Sequence, residues 1–180
     1  MGRLLTGGHG ALGQTALSTL LIDARVNLLV DVRRFPGSRH NPDVSTDAMA
    51  RWLPDAGVEY RWEPRLGGRR RLTSDDEQNA DCWWRVEAFR AYAAHTRTPE
   101  FLDALDDLAG DVLARDTTAV MCSESVWWRC HRRLVADAAA LLRGLEVAHL
   151  AHNGRFTAHE PSAGVRIVGG LLRYDAAVEE

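Results

Sequence analysis

The stretch "MCSESVWWRCHRRL", residues 121–134, sets two thiols, Cys122 and Cys130, beside Glu124, His131 and the guanidinium groups of Arg129, Arg132 and Arg133. A thiol next to an imidazole and a cation is the composition of a thiolate nucleophile, with a carboxylate or imidazole at hand to move protons. Strand-like residues followed by a helical pattern suit that chemistry, because the unpaired N–H groups of a first helical turn favour negative charge. With a helix starting near Trp128, Cys130 would open it. Arg132 or Arg129 would then meet a phosphate or carboxylate. A plainer arrangement fits the same letters. Cys130, Leu134, Ala138 and Leu141 share one helical stripe, and free cysteine is often a small core residue.

Three further clusters carry polar chemistry. Thr6, Gly8 and His9 stand in "TGGHG", where a glycine-lined turn can approach an anion and His9 can act as acid, base or ligand. "DVRRFPGSR" offers Asp31 to orient a base or hydroxyl, with Arg33, Ser38 and Arg39 for an anion. "RWEPRLGGRRR", residues 61–71, holds five arginines around Gly67 and Gly68. It reads as a solvated loop or as an electrostatic funnel for nucleotide or nucleic acid, with Trp62, Trp83 or Trp84 as stacking surfaces. Trp52, Trp127 and Trp128 suit the core. In the late apolar run His149 faces the pocket and His152 the surface.

Several chemistries are disfavoured. No lysine occurs and all 22 basic residues are arginine, which excludes Schiff-base, pyridoxal-lysine and P-loop-lysine mechanisms. A phosphatase loop needs a cysteine and an arginine with five residues between them, and neither Cys122 nor Cys130 supplies it. The spacing C-x7-C-H is no standard zinc pattern, and the zinc deaminase signature is missing. The reading is therefore without metal or cofactor. A net charge of −3 argues against a broadly basic nucleic-acid binder. Three cysteines and an N-terminus without an apolar leader fit a cytoplasmic chain with reduced thiols and no disulfide between Cys122 and Cys130. No run approaches the roughly 20 apolar residues of a membrane span.

The elements that must position these groups alternate. Strands are expected over residues 3–6, 26–32, 58–63, 117–123 and 145–152. Helices are expected over 11–24, 45–57, 83–95, 98–113 and 130–144, with a small extension at 155–174. The first strand would break at Gly7-Gly8, and residues 64–81 form a long loop. The alternation predicts one α/β domain over 1–180, three-layered and Rossmann-like in the broad sense, with a mostly parallel sheet flanked by helices. Ligands in such folds sit beyond the strand carboxyl ends, where all four clusters fall.

In order, Thr6-x-Gly8-His9, Asp31-Val32-Arg33 with Pro36, Ser38 and Arg39, Leu66-Gly67-Gly68, Cys122-x-Glu124, Cys130-His131-Arg132 and His149 (with His159) resemble the motifs of the domain of unknown function 488 family. The resemblance runs over nearly the whole chain. Gly10 stands where that family usually has a serine, and Gly7 where it usually has an aliphatic residue. The family implies a fold and a pocket but no settled reaction. Two functions stay open. One is an enzyme, a cysteine/histidine-dependent hydrolase or transferase on an anionic, nucleotide-like substrate. In it Cys122, Glu124, Cys130, His131 and His9 are catalytic, and Asp31, Arg33, Ser38, Arg39, Gly67, Gly68, Arg132 and His149 bind substrate. The other is a noncatalytic module for nucleic acid or a phospho-ligand.

Overall fold

Apolar runs and amphipathic stretches alternate along the chain, and a computed structural model arranges them as three layers, describing residues 1–74 and 80–177. β1 (Arg3–Gly8), β2 (Leu28–Asp31), β3 (Glu59–Trp62), β4 (Thr117–Cys122) and β5 (Glu146–Leu150) are parallel. β6 (Phe156–Ala158) adds an antiparallel edge. Their spatial order is β3-β2-β4-β1-β5-β6. Every residue of β2 and β4 is buried, as continuous apolar strands covered on both faces must be.

Alternate side chains of these strands feed two cores. Leu5, Leu29, Ala119 and Met121 meet α1 (Gln14–Asp23) and α2 (Thr46–Asp55). Leu4, Val30, Val120 and Cys122 meet α3 (Glu87–His95), α4 (Pro99–Leu113) and α5 (Arg132–Arg143). β7 (Val165–Val168) and β8 (Leu171–Tyr174) form a separate hairpin that sends Leu172 and Tyr174 into this second core. Its turn, Gly169-Gly170, has positive φ at both residues, as a tight two-residue hairpin requires. Local chemistry sets the helix starts. Thr98 Oγ1 accepts from Phe101 N–H before Pro99, and Ser45 Oγ accepts from Ala48 N–H.

Three boundaries differ from the sequence expectation. β1 does not break at the glycines, because Gly7 and Gly8 pair with Met121 and Cys122. α3 begins at Glu87 rather than Trp83, since Trp83 N–H donates to Tyr174 O and Trp84 is buried in the second core. α5 begins at Arg132, so Cys130 precedes the helix instead of opening it, and a single turn over Trp127–Arg129 stands in between. The acidic part of the expected 64–81 loop, residues 75–79, lies outside the described residues.

This topology creates one crevice. β1 leads to α1 on the first face, while its neighbour β4 leads to α5 on the second. Chains departing to opposite faces leave a gap beyond the carboxyl ends of β1 and β4, the switch point where such sheets bind ligands.

Candidate functional site

At that gap lies a cavity of about 480 Å³. It is lined by His9 from the end of β1 and by Arg33, Arg34, Phe35 and Ser38 after β2. Gly68 and Arg69 follow β3, Cys122 ends β4, and Ser123 and Glu124 follow it. Arg129, Cys130 and His131 come from the approach to α5, and Phe89 and Tyr92 from α3.

Its floor is a thiol pair. Cys122 Sγ and Cys130 Sγ are 2.9 Å apart, both free and both buried. Cys130 Sγ is also 3.4 Å from His131 Nδ1. Arg132 is 1% exposed, and its charge and the two sulfurs act on one another. It donates to the Glu124 carbonyl, while its Nε has no partner among the described residues. No carboxylate of the described residues pairs with Arg132. A buried cation without a carboxylate must find its counter-charge elsewhere, and the two sulfurs are the groups available. Burial drives the Cys122 thiol up, reinforced by the neighbouring sulfur. The Cys122 S–H, then His131 and Arg132, hold the Cys130 thiol well below its ordinary range, against its own burial. The surroundings of the pair therefore favour negative charge on Cys130 over Cys122.

Two glycines allow this packing. A Cβ on Gly8 would lie 1.8 Å from the Glu124 carbonyl oxygen, so only glycine lets β1 run beneath the loop after Cys122. A Cβ on Gly68 would sit 2.8 Å from His131 Nδ1, so the Leu66-Gly67-Gly68 segment presses directly on the imidazole. Tyr92 braces the other side, its ring centroid 5.0 Å from that of His131 and its hydroxyl donating to Leu66 O at 2.5 Å. His131 Nε2 is buried without a partner among the described residues.

Beside the thiols, Asp31 and Arg33 form a closed cluster. Asp31 accepts from Arg33 N–H, Nε–H and Nη2–H and from Tyr60 O–H, and Arg33 Nη2 also donates to Val44 O. Arg33 Nη1–H reaches His9 Nε2 at 3.3 Å, while His9 Nδ1–H donates to Gly10 O. Burial, with the Arg33 charge, pulls the His9 pKa down, so His9 is held neutral in one tautomer.

The residues marked by type and spacing thus divide. His9, Arg33, Ser38, Gly68, Cys122, Glu124, Cys130 and His131 share the cavity. Asp31, Gly67, Arg132 and His149 stand behind its wall, and Arg39 is exposed outside it. Arg34, Phe35 and Tyr92 line the cavity although the sequence pattern did not single them out, and Arg69 joins them from the arginine loop. The doubled arginine after Asp31-Val32 was the available signal for Arg34. Nothing in the local pattern marks Tyr92, which arrives through α3. Much of the arginine loop is committed elsewhere. Arg61 pairs with Glu63 and Asp111, Arg65 with Glu63 and Asp107, and Arg70 with Glu100 and nearby carbonyls. The tryptophans are also redistributed. Trp84 is buried, whereas Trp128 is 54% exposed. Among the described residues no group of three or more His, Cys, Asp or Glu is placed to hold a metal ion, and no helix is long and apolar enough to cross a membrane.

His149 belongs to a second chain of hydrogen bonds. The Asp137 carboxylate accepts from His159 Nε2–H, and His159 Nδ1 accepts from His149 Nε2–H. His149 Nδ1 then accepts from Thr6 O–H at 2.7 Å, and Trp127 stacks on the ring at 3.8 Å. Burial, then His159 and Arg132, push the His149 pKa down to about 3. Such a group contributes stability above the unfolded histidine value of about 6.5 that is lost as pH falls toward the folded value. The melting temperature should therefore be flat above pH 7 and decline below pH 6. His149→Gln should flatten that slope by about a third, because His9 and His95 are also held neutral by burial. Calorimetry between pH 4 and 8 checks this, and an unchanged slope would show that His149 does not take up the proton.

No curated protein and no solved structure matches the chain. The family model described as "Domain of unknown function DUF488" matches residues 14–139. That span contains Asp31-Val32-Arg33, Leu66-Gly67-Gly68, Cys122, Glu124 and Cys130-His131-Arg132, and leaves His9 and His149 outside. With more than half of its 180 residues matched, the chain belongs to the DUF488 family.

Proposed function

We propose that this domain is an enzyme whose Cys130 thiolate attacks an anionic, nucleotide-like substrate, in hydrolase or transferase chemistry. The observation that carries the reading is buried Arg132, with no carboxylate partner among the described residues, against two thiols that open on a cavity. A structural core cysteine would gain nothing from a cation there. Arg34, Arg69 and Arg129 sit at the same cavity and are the cations that would hold the substrate anion. Arg33, closed on Asp31, would instead fix His9. Cys130 Sγ would attack the electrophilic centre. The proton for the leaving group would come from His131 Nε2, which has no partner among the described residues.

A charged alkylating agent tests both halves of the reading. At pH 7, iodoacetate should modify Cys130 faster than neutral iodoacetamide does, once each rate is divided by that at exposed Cys82. The preference should be roughly tenfold, the lower end of electrostatic focusing in a cleft. It should fall with salt, with ADP as competitor, and in Arg129→Ala or Arg69→Ala. A Cys130 that reacts only after unfolding would sink the enzyme reading. ADP binding that weakens steeply with salt and survives Cys130→Ser without any anion preference in alkylation would assign a binding module instead.

A further inference from the structure

The geometry points to a second activity at the same floor: Cys122 and Cys130 form a two-electron redox couple that reduces hydroperoxides and closes to a reversible disulfide. This rests on the Cys130 thiolate of the proposed function but needs more than it, since a hydrolytic nucleophile requires no second thiol. The second thiol is what the structure adds. Cys122 Sγ is 2.9 Å from Cys130 Sγ, closer to it than the imidazole at 3.4 Å. The two come from separate elements, the end of β4 and the approach to α5, with the exposed Ser123–Ser125 and the turn over Trp127–Arg129 between them. No helix or strand has to break for the sulfurs to meet. Both line the cavity, so a small oxidant reaches them without unfolding.

The roles follow from the asymmetry of the pair. Cys130 has the imidazole and bears the negative charge, so its sulfur attacks the distal oxygen of the hydroperoxide. The S–O bond forms and the O–O bond breaks. The departing alkoxide, or hydroxide from hydrogen peroxide, takes a proton from His131 or water. Cys130 is then a sulfenic acid, oxidised by two electrons. Cys122 Sγ attacks that sulfur, the S–S bond forms, and hydroxide leaves with the Cys122 proton as water. One hydroperoxide has become one alcohol, or water, plus one water, at the expense of two thiols. An external dithiol returns the two electrons and is itself oxidised to a disulfide. Low-pKa thiols with a resolving partner in contact follow this course, whereas an isolated thiol stays at the sulfenic acid or goes on to the irreversible acids.

The disulfide would also leave Arg132 without its anionic neighbour. The oxidised protein should therefore lose the anion-selective alkylation proposed above and regain it on reduction.

The test uses the whole chain, reduced and then treated with a few equivalents of hydrogen peroxide at pH 7. Free thiols are trapped with N-ethylmaleimide and peptides mapped by mass spectrometry. The expected product is a Cys122–Cys130 linkage lighter by two hydrogens, formed roughly tenfold or more faster than any oxidation of Cys82 and reversed by dithiothreitol. In Cys122→Ser the reaction should stop at Cys130 sulfenic acid, captured by dimedone. The wild-type map alone decides the matter if that variant does not fold. Suppose both thiols remain trappable after peroxide while Cys130 still alkylates faster than Cys82. The redox couple is then wrong and the nucleophile stands. A Cys130 inert to peroxide and alkylating agent alike in the folded protein removes both. A linkage that forms no faster than Cys82 oxidises also overturns the couple.

Discussion

Arg132→Met should slow alkylation of Cys130 at pH 7 by roughly tenfold to a hundredfold, and raising the pH to 9 or above should restore most of the rate. An opposite charge at hydrogen-bond range shifts a thiol by about one to three pH units. Arg132 is nearly fully buried, so solvent screens little of that effect. Without the guanidinium, Cys130 keeps the Cys122 S–H and His131 but loses the one permanent cation that opposes its burial. The rate–pH profile separates the electrostatic effect from simple damage. In the wild type it should be flat from neutral pH upward, whereas in the variant it should climb as an ordinary thiol does toward about 8.5. Stability should change less than is usual for a buried charge, by about 2 kcal/mol or less. Methionine fills much of the volume, and a protonated thiol pair leaves no orphaned anion. The lost donor to the Glu124 carbonyl is the main cost. A variant that reacts like the wild type at pH 7 would show that Arg132 does not support the thiolate.

Gly8→Ala should destabilise the protein by about 3 kcal/mol or more, the upper end for overpacking a filled interior. In a chain of this length that corresponds to a fall in melting temperature of roughly 6–12 °C. The added methyl would lie 1.8 Å from the Glu124 carbonyl oxygen and 2.5 Å from its carbon. These are backbone atoms, so no rotamer change relieves the clash. The loop carrying Glu124 would have to lift, taking with it the carbonyl that accepts from Arg132. Thiol reactivity should fall together with stability. Gly7→Ala is the control one residue earlier in the same strand, since nothing lies within 4 Å of its Cβ position. It should be neutral or stabilising by several tenths of a kcal/mol, because alanine has less unfolded-state freedom to lose. Thermal denaturation of the two variants checks the contrast. Equal effects would mean that the close approach to Glu124 is not what requires glycine.

The layered α/β fold was legible because its signals are local and repeated. Continuous apolar runs at β2 and β4 need cover on both faces, and the intervening stretches have helical period and caps such as Thr98-Pro99. Local pattern also marked Cys122, Cys130 and His131, since those residue types at a strand-to-helix transition suggest a thiolate before any coordinates exist. It misjudged the local start of α5. Helical periodicity runs back through Cys130, but the backbone turns once at Trp127–Arg129 and begins α5 only at Arg132. The thiolate proposed at Cys130 would therefore be supported by side-chain neighbours rather than by placement inside the helix.

Which cations meet which partners emerges only once the chain is folded. With every basic residue an arginine, residue type cannot distinguish a substrate clamp from a structural fork. Arg61 reaches Asp111, Arg65 reaches Asp107 and Arg143 reaches Asp106, because strands and helices far apart in the chain bring those groups within hydrogen-bond distance. His149 was placed by the same cause. Alternation along β5 settles its side of the sheet, but Thr6 and His159 on the neighbouring strand and edge consume both ring nitrogens. The sequence by itself determined the strands, the helices and the thiols at a strand end, since these depend on period and residue type within a few positions. The long-range counter-ions depend on distances across the fold, which one-dimensional order does not contain.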